Sequence, residues 1–107
     1  MYTLLHYQTS EGRDVIEDWL VSLRDRRAAA RIAARLARAA GGNLGDWKPV
    51  REGVCELRVH NGPGYRVYFA RLGQVVVLLL CGGDKGSQDA DVDTALERFK
   101  DFKRRTP

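Results

Sequence analysis

Val54-Cys-Glu-Leu-Arg-Val-His60, the turn Asn61-Gly-Pro-Gly64, Tyr65-Arg-Val-Tyr-Phe-Ala-Arg71 and then Gln74 to Lys85 make up the stretch that decides the fold. With a period of two, Cys55, Leu57 and Val59 share one face of the first run, and Glu56, Arg58 and His60 the other. In the second run Tyr65, Val67 and Phe69 alternate with Arg66 and Tyr68. Two such runs joined by a turn rich in Gly and Pro predict an antiparallel hairpin, apolar inward and cationic outward. The third run, Val75-Val-Val-Leu-Leu-Leu80, is apolar on both faces and belongs at the centre of a sheet. In Cys81-Gly-Gly-Asp-Lys85 the glycine pair is expected to end that strand sharply and to deliver Lys85 beside the polar face. Arg58, Arg66, Tyr68 and Lys85 are the expected working surface.

Upstream, Tyr2 to Gln8 is rich in β-prone residues and reads as a first strand. Thr9 or Ser10 is expected to cap a short helix, with Glu11 and Asp14 in its first turn and an end near Ser22–Arg24. Its inner side is Val15, Ile16, Trp19, Leu20 and Leu23. Asp25 caps a second helix that Gly41-Gly42 terminate, and the interior is almost all Ala and Arg, both strong helix formers. At 100° per residue, Arg24, Arg27, Arg31, Arg35 and Arg38 fall within an arc of about 80°. Ala29, Ile32, Ala33, Leu36 and Ala40 lie roughly opposite. Asn43 to Gly53 reads as a loop or short edge strand, since Pro49 does not suit a central one, with Trp47 as a lid over the core. Ser87 opens a last helix with Asp89, Asp91 and Asp93 at its start and Lys100, Lys103, Arg104 and Arg105 near its end. Its apolar stripe is Val92, Ala95, Leu96, Phe99 and Phe102. The expected fold class is α+β: an N-terminal strand, a two-helix hairpin, three to four antiparallel strands and a C-terminal helix, within a single domain spanning 1–107.

The net charge is +4, and it is concentrated. Between Arg24 and Arg71 stand eleven Arg or Lys against four acids. Such a surface suits nucleic acid better than a merely solvated basic face, while the Arg stripe of the second helix reads as a solvated face or as a contact with nucleic acid or an acidic partner. Cys55 and Cys81 sit in apolar strand contexts without a CxxC or Cys/His cluster, so a zinc site is not expected and reduced core thiols in a cytoplasmic protein are. The run Val75–Cys81 is far too short to span a membrane, and Met1 to His6 is not expected to be a signal peptide. No phosphate loop, HExxH or GxSxG is present, and no cofactor or metal is expected.

Cutting RNA without a metal requires removal of the 2′-hydroxyl proton, neutralisation of charge building on the phosphate, and protonation of the leaving 5′-oxygen. Arg58 and Arg66 suit the second task, because a guanidinium grips phosphate through two N–H groups at once. Tyr68 or Lys85 suits proton transfer if nearby cations lower its pKa. On the residues alone, this face fits passive phosphate binding as well as cleavage.

With Glu56-Leu-Arg58, Gly64-Tyr-Arg-Val-Tyr68 and Leu78-Leu-Leu-Cys-Gly-Gly-Asp-Lys85, the chain resembles toxins of the RelE/ParE superfamily. It is most similar to the HigB-like addiction module killer proteins of type II toxin–antitoxin systems. The resemblance implies a RelE-like fold and a metal-independent, ribosome-dependent mRNA endonuclease that inhibits translation. It also implies neutralisation by a helix-turn-helix antitoxin, through which alone the toxin would reach operator DNA. Arg58 and Arg66 match the family's strand arginines, and Lys85 takes the place where relatives carry a C-terminal catalytic His, Tyr or Arg. Lys48 and Arg51 fall where relatives present lysines to substrate. His60 and the helical Arg27, Arg31 and Arg38 complete the expected RNA-binding set. ParE-type members share the fold and act on DNA gyrase, so two alternatives stand beside the nuclease: a gyrase-directed toxin, and a nucleic-acid-binding module that acts only with its antitoxin.

Overall fold

The computed structural model describes residues 1–60 and 64–106 and shows a mixed α+β fold built on one five-stranded sheet. Along the chain come β1 (Thr3–His6), α1 (Val15–Ser22), α2 (Arg26–Ala40), β2 (Trp47–Arg51), β3 (Val54–Val59), β4 (Tyr65–Leu72), β5 (Val76–Asp84) and, after a short 3₁₀ turn over Lys85–Ser87, α3 (Gln88–Arg105). The spatial order is β1-β5-β4-β3-β2. β2 to β5 are antiparallel neighbours, and β1 returns to lie parallel beside β5. The β3–β4 hairpin is present as expected, but Asn61, Gly62 and Pro63 of its turn lie outside the described residues.

Helices cover both faces of this sheet. On one face Ile16 of α1 and Ile32 and Leu36 of α2 pack against Cys55, Leu57, Val59, Val67, Phe69, Val77 and Leu79. On the other, Val92, Ala95 and Leu96 of α3 pack against Val54, Tyr68, Ala70, Leu78, Leu80 and Cys81. The hairpin's second face is therefore not the open cationic surface that alternation predicts, because α3 covers a large part of it. The two cysteines are free thiols on opposite faces, which puts a disulfide between them out of reach.

Asp14, rather than Thr9 or Ser10, caps α1. Its Oδ1 accepts the N–H groups of Ile16 and Glu17 at 3.1 and 3.0 Å. Thr9 instead closes its own turn, in which Gly12 adopts φ 83° and the Thr9 side chain accepts the Arg13 N–H at 3.1 Å. Asp25 caps α2 as expected, and Arg26 reaches back to the last carbonyls of α1, Leu20 at 3.1 Å and Leu23 at 2.8 Å. The buried stripe of α2 is Ala28, Ala29, Ile32, Leu36 and Ala39, while Ala33 is exposed. Trp47 does pack on the core, tilted against Phe69 with ring centres 5.9 Å apart.

Gly82 and Gly83 do not end β5; the strand runs through both to Asp84. They are glycines because of what lies over them. A Cβ on Gly82 would stand 2.2 Å from the Trp19 ring, and one on Gly83 would stand 1.7 Å from Oδ2 of Asp91. Close approach, not a turn, explains the pair.

Candidate nucleic-acid interface

The β3–β4 register places Arg58 directly opposite Arg66 and Glu56 directly opposite Tyr68. β2 sets Lys48 against Glu56, and β5 sets Gly83 against Arg66. One end of the sheet therefore gathers Lys48, Glu56, Arg58, Arg66 and Tyr68 on the face that α3 partly covers. The backbone N–H of Lys85 donates to the Gly64 carbonyl at 3.0 Å, which ties Lys85 to the same end.

Carboxylates interleave with these cations. Glu56 is only 1% exposed, with Arg66 Nε 3.5 Å from its Oε2 and Lys48 Nζ 3.8 Å from its Oε1. Asp46, just ahead of β2, takes Arg58 NH2 on one oxygen at 3.1 Å and His60 Nε2 on the other at 2.6 Å. Arg51 pairs with Asp93 of α3. The hydrogen bond from His60, followed by that from Arg58, holds the Asp46 carboxyl below the usual carboxylate range although desolvation works the other way. Lys85 is exposed and in no ion pair among the described residues. Its neighbour Asp84 accepts the Gly86 N–H at 2.9 Å.

Tyr68 sits differently from the sequence expectation. Its side chain has no exposed surface, and its hydroxyl has no hydrogen-bond partner among the described residues. Burial first, and then the charges of Glu56 and Asp91, push its ionisation far above the ordinary tyrosine range. A phenol so placed neither meets a substrate nor exchanges protons near neutral pH. Both Glu56 oxygens and the Nε atoms of Arg58 and Arg66 are likewise buried without a hydrogen bond among the described residues. Buried polar atoms left unbonded cost stability, so this cluster is not explained by stability alone.

Glu56 and Asp46 are the members that the sequence reading missed as site residues. Glu56 was visible at alternating spacing beside Arg58, but its burial comes from the overlying α3. Asp46 precedes β2, and nothing local marks it as the partner of residues 58 and 60.

The α2 arginines divide. Arg24, Arg27, Arg31 and Arg38 are exposed and in no ion pair among the described residues. Arg35 turns inward, donating to the Arg58 carbonyl at 2.7 Å and the Leu44 carbonyl at 2.9 Å. His6 pairs with Asp14 at 2.8 Å on β1, at the opposite edge of the sheet from β2. A groove of about 530 Å³ opens between α1, the end of β5 and α3, lined in part by Arg13 and Arg98. Those cations are committed, Arg13 to Asp18 and Arg98 to the Leu80 carbonyl. Among the described residues no three His, Cys, Asp or Glu side chains gather as metal ligands, and no helix is long and apolar enough to cross a membrane.

A protein of Haemophilus influenzae, described as an uncharacterized protein, is 49% identical to this chain over 79 residues, which are 74% of this chain and 80% of that protein. No known family model matches the chain.

Proposed function

This chain belongs to the same family as that Haemophilus influenzae protein, and from the geometry at the end of its sheet we propose that it is the toxin of a type II toxin–antitoxin module. It is then a member of the RelE/ParE superfamily, nearest the HigB-like toxins, and a metal-independent endoribonuclease that cuts mRNA on the ribosome. A helix-turn-helix antitoxin restrains it in the cytoplasm and carries it to operator DNA.

The observation that carries this reading is the opposition of Arg58 and Arg66 across β3 and β4, each beside its own carboxylate. Two guanidinium groups brought opposite each other, each aligned by a carboxylate, present a pair of forks that suits an anionic ligand. A phosphodiester gaining charge in its transition state is such a ligand, and two guanidinium forks meet it with several charge-assisted hydrogen bonds. Lys85, exposed at the same end, supplies the proton for the departing 5′-oxygen. The exposed α2 arginines Arg27, Arg31 and Arg38 add attraction for ribosomal RNA along a second face.

Pulse-labelling after induced expression tests the reading. Early loss of protein synthesis, before DNA synthesis slows, is expected. Early arrest of DNA synthesis with translation intact would assign the chain to a gyrase-directed toxin instead.

A further inference from the structure

Accepting a proton near neutral pH requires a side chain with an unprotonated basic atom there, and most of this face does not qualify. Guanidinium groups keep their protons. Tyr68 is sealed in the core, and Glu56 is closed off beneath its two cations. Imidazole is the side chain suited to the task. His60 directly follows β3, its side chain 75% exposed, two residues beyond Arg58. A carboxylate only accepts hydrogen bonds, so the 2.6 Å contact to Asp46 fixes the proton on Nε2 and leaves Nδ1 as the lone-pair nitrogen, with no hydrogen bond among the described residues. The same Asp46 holds Arg58, so one carboxylate aligns both an imidazole and a phosphate-binding guanidinium.

We infer that His60, aligned by Asp46, is the proton acceptor of the cleavage step, an inference that rests on the nuclease reading above. Nδ1 of His60 takes the 2′-hydroxyl proton as O2′ attacks the adjacent phosphorus. The O2′–P bond forms and the P–O5′ bond breaks, with Arg58 and Arg66 holding the added phosphate charge. The 5′-oxygen leaves with a proton from the Lys85 ammonium. The products are a 2′,3′-cyclic phosphate and a 5′-hydroxyl; His60 then gives its proton to water and Lys85 regains one from water. Asp46 is a positioning residue: it touches His60 and Arg58, and through them it sets which nitrogen is basic.

The test is single-turnover cleavage of mRNA bound to ribosomes, followed from about pH 5 to about pH 8, the window in which imidazole changes charge. Wild-type protein should show a rate that rises with pH to a plateau. His60→Gln should be slower by roughly 10²-fold and lose the rising limb, the size and signature of a missing general base. Asp46→Asn should be slowed less and have its limb displaced. His6→Gln removes the other His–Asp pair, far from this face, and should match wild type. His60→Gln cleaving at the wild-type rate with its rising limb intact would overturn the inference and leave the nuclease reading standing. An Asp46→Asn limb that does not move would remove Asp46 from the positioning role. Wild-type protein that leaves the mRNA uncut would overturn both readings together.

Discussion

Arg58 and Arg66 stand directly opposite each other on β3 and β4, and each is steadied by a different acid, Arg58 by Asp46 at 3.1 Å and Arg66 by Glu56 at 3.5 Å. The two acids are unlike. Asp46 is partly exposed, whereas Glu56 is buried with both oxygens lacking a hydrogen bond among the described residues. This asymmetry decides how each arginine tolerates substitution.

Arg66→Ala is not the mild surface change that alternation suggests, since the side chain is only 13% exposed. Removing it leaves the Glu56 carboxylate in the core with Lys48 alone, 3.8 Å away. The expected cost is about 3 kcal/mol, the lower end for breaking a buried pair. Chemical denaturation should show it, and adding Glu56→Gln should recover part of the loss. Arg66→Lys keeps the charge and the fold but loses the planar fork, and cleavage should fall by roughly tenfold or more. Wild-type stability in Arg66→Ala would contradict the pairing.

Tyr68→Phe removes a buried hydroxyl that has no partner among the described residues. Its stability should rise by about 1 kcal/mol, because an unsatisfied polar group leaves the core while the ring stays. Cleavage should be unchanged. A folded Tyr68→Phe protein without activity would return Tyr68 to the catalytic role that the sequence suggested.

The α2 arginines should separate by assay. Arg35→Gln loses two hydrogen bonds to carbonyls and should lower stability by about 1–2 kcal/mol. Replacing Arg27, Arg31 and Arg38 with Gln should leave the melting temperature near wild type. It should, however, flatten the salt dependence of ribosome binding, with the slope falling by roughly one for each phosphate no longer neutralised. Binding at two salt concentrations checks this, and an unchanged slope would remove the stripe from RNA binding.

Asp91 gives a pH prediction. Desolvation, and then the charge of Asp84, raise its carboxyl above the usual carboxylate value against the opposing bond from Ser87 Oγ. A carboxyl raised in the folded state contributes stability below its unfolded value of about 3.8, and that contribution is lost as pH rises through the folded value. At neutral pH the ionised group therefore weighs against the fold. Asp91→Asn should melt higher than wild type at neutral pH, and the advantage should vanish as the pH falls to the unfolded value. Thermal unfolding across that range checks the sign; an Asp91→Asn protein that melts lower at neutral pH would refute it.

Alternation made the β3–β4 hairpin legible in the sequence, and the apolar run of β5 marked a strand buried on both faces. The same alternation misled about the second face. Val54, Ala70, Leu78, Leu80 and Cys81 make half of that face apolar, and the register shift opposite Tyr68 and Phe69, where β5 carries the extra Leu80, puts Leu80 and Cys81 on it together against a strict period of two. The edge strand β2 was one of the two readings of Asn43 to Gly53, but the β2–β3 turn over Glu52-Gly53, both at positive φ, left only a Gly as its trace. Gly82-Gly83 looked like a turn because nothing local distinguishes a glycine that bends from one that makes room for Trp19 or Asp91. The cationic half of the candidate site was visible, since Arg58, Arg66 and Lys85 lie on or beside the hairpin. Its acidic half was not, because Asp46 and the burial of Glu56 depend on contacts distant in sequence.

Metal-independent cleavage is open to direct test by incubating the purified protein with ribosome-bound mRNA in the presence of a metal chelator at a level the ribosome tolerates, and mapping the RNA ends. Internal cuts that leave 2′,3′-cyclic phosphate and 5′-hydroxyl termini are expected, reduced by at least roughly tenfold in Arg66→Lys. Intact mRNA, or cuts that Arg66→Lys makes at the wild-type rate, would contradict that expectation.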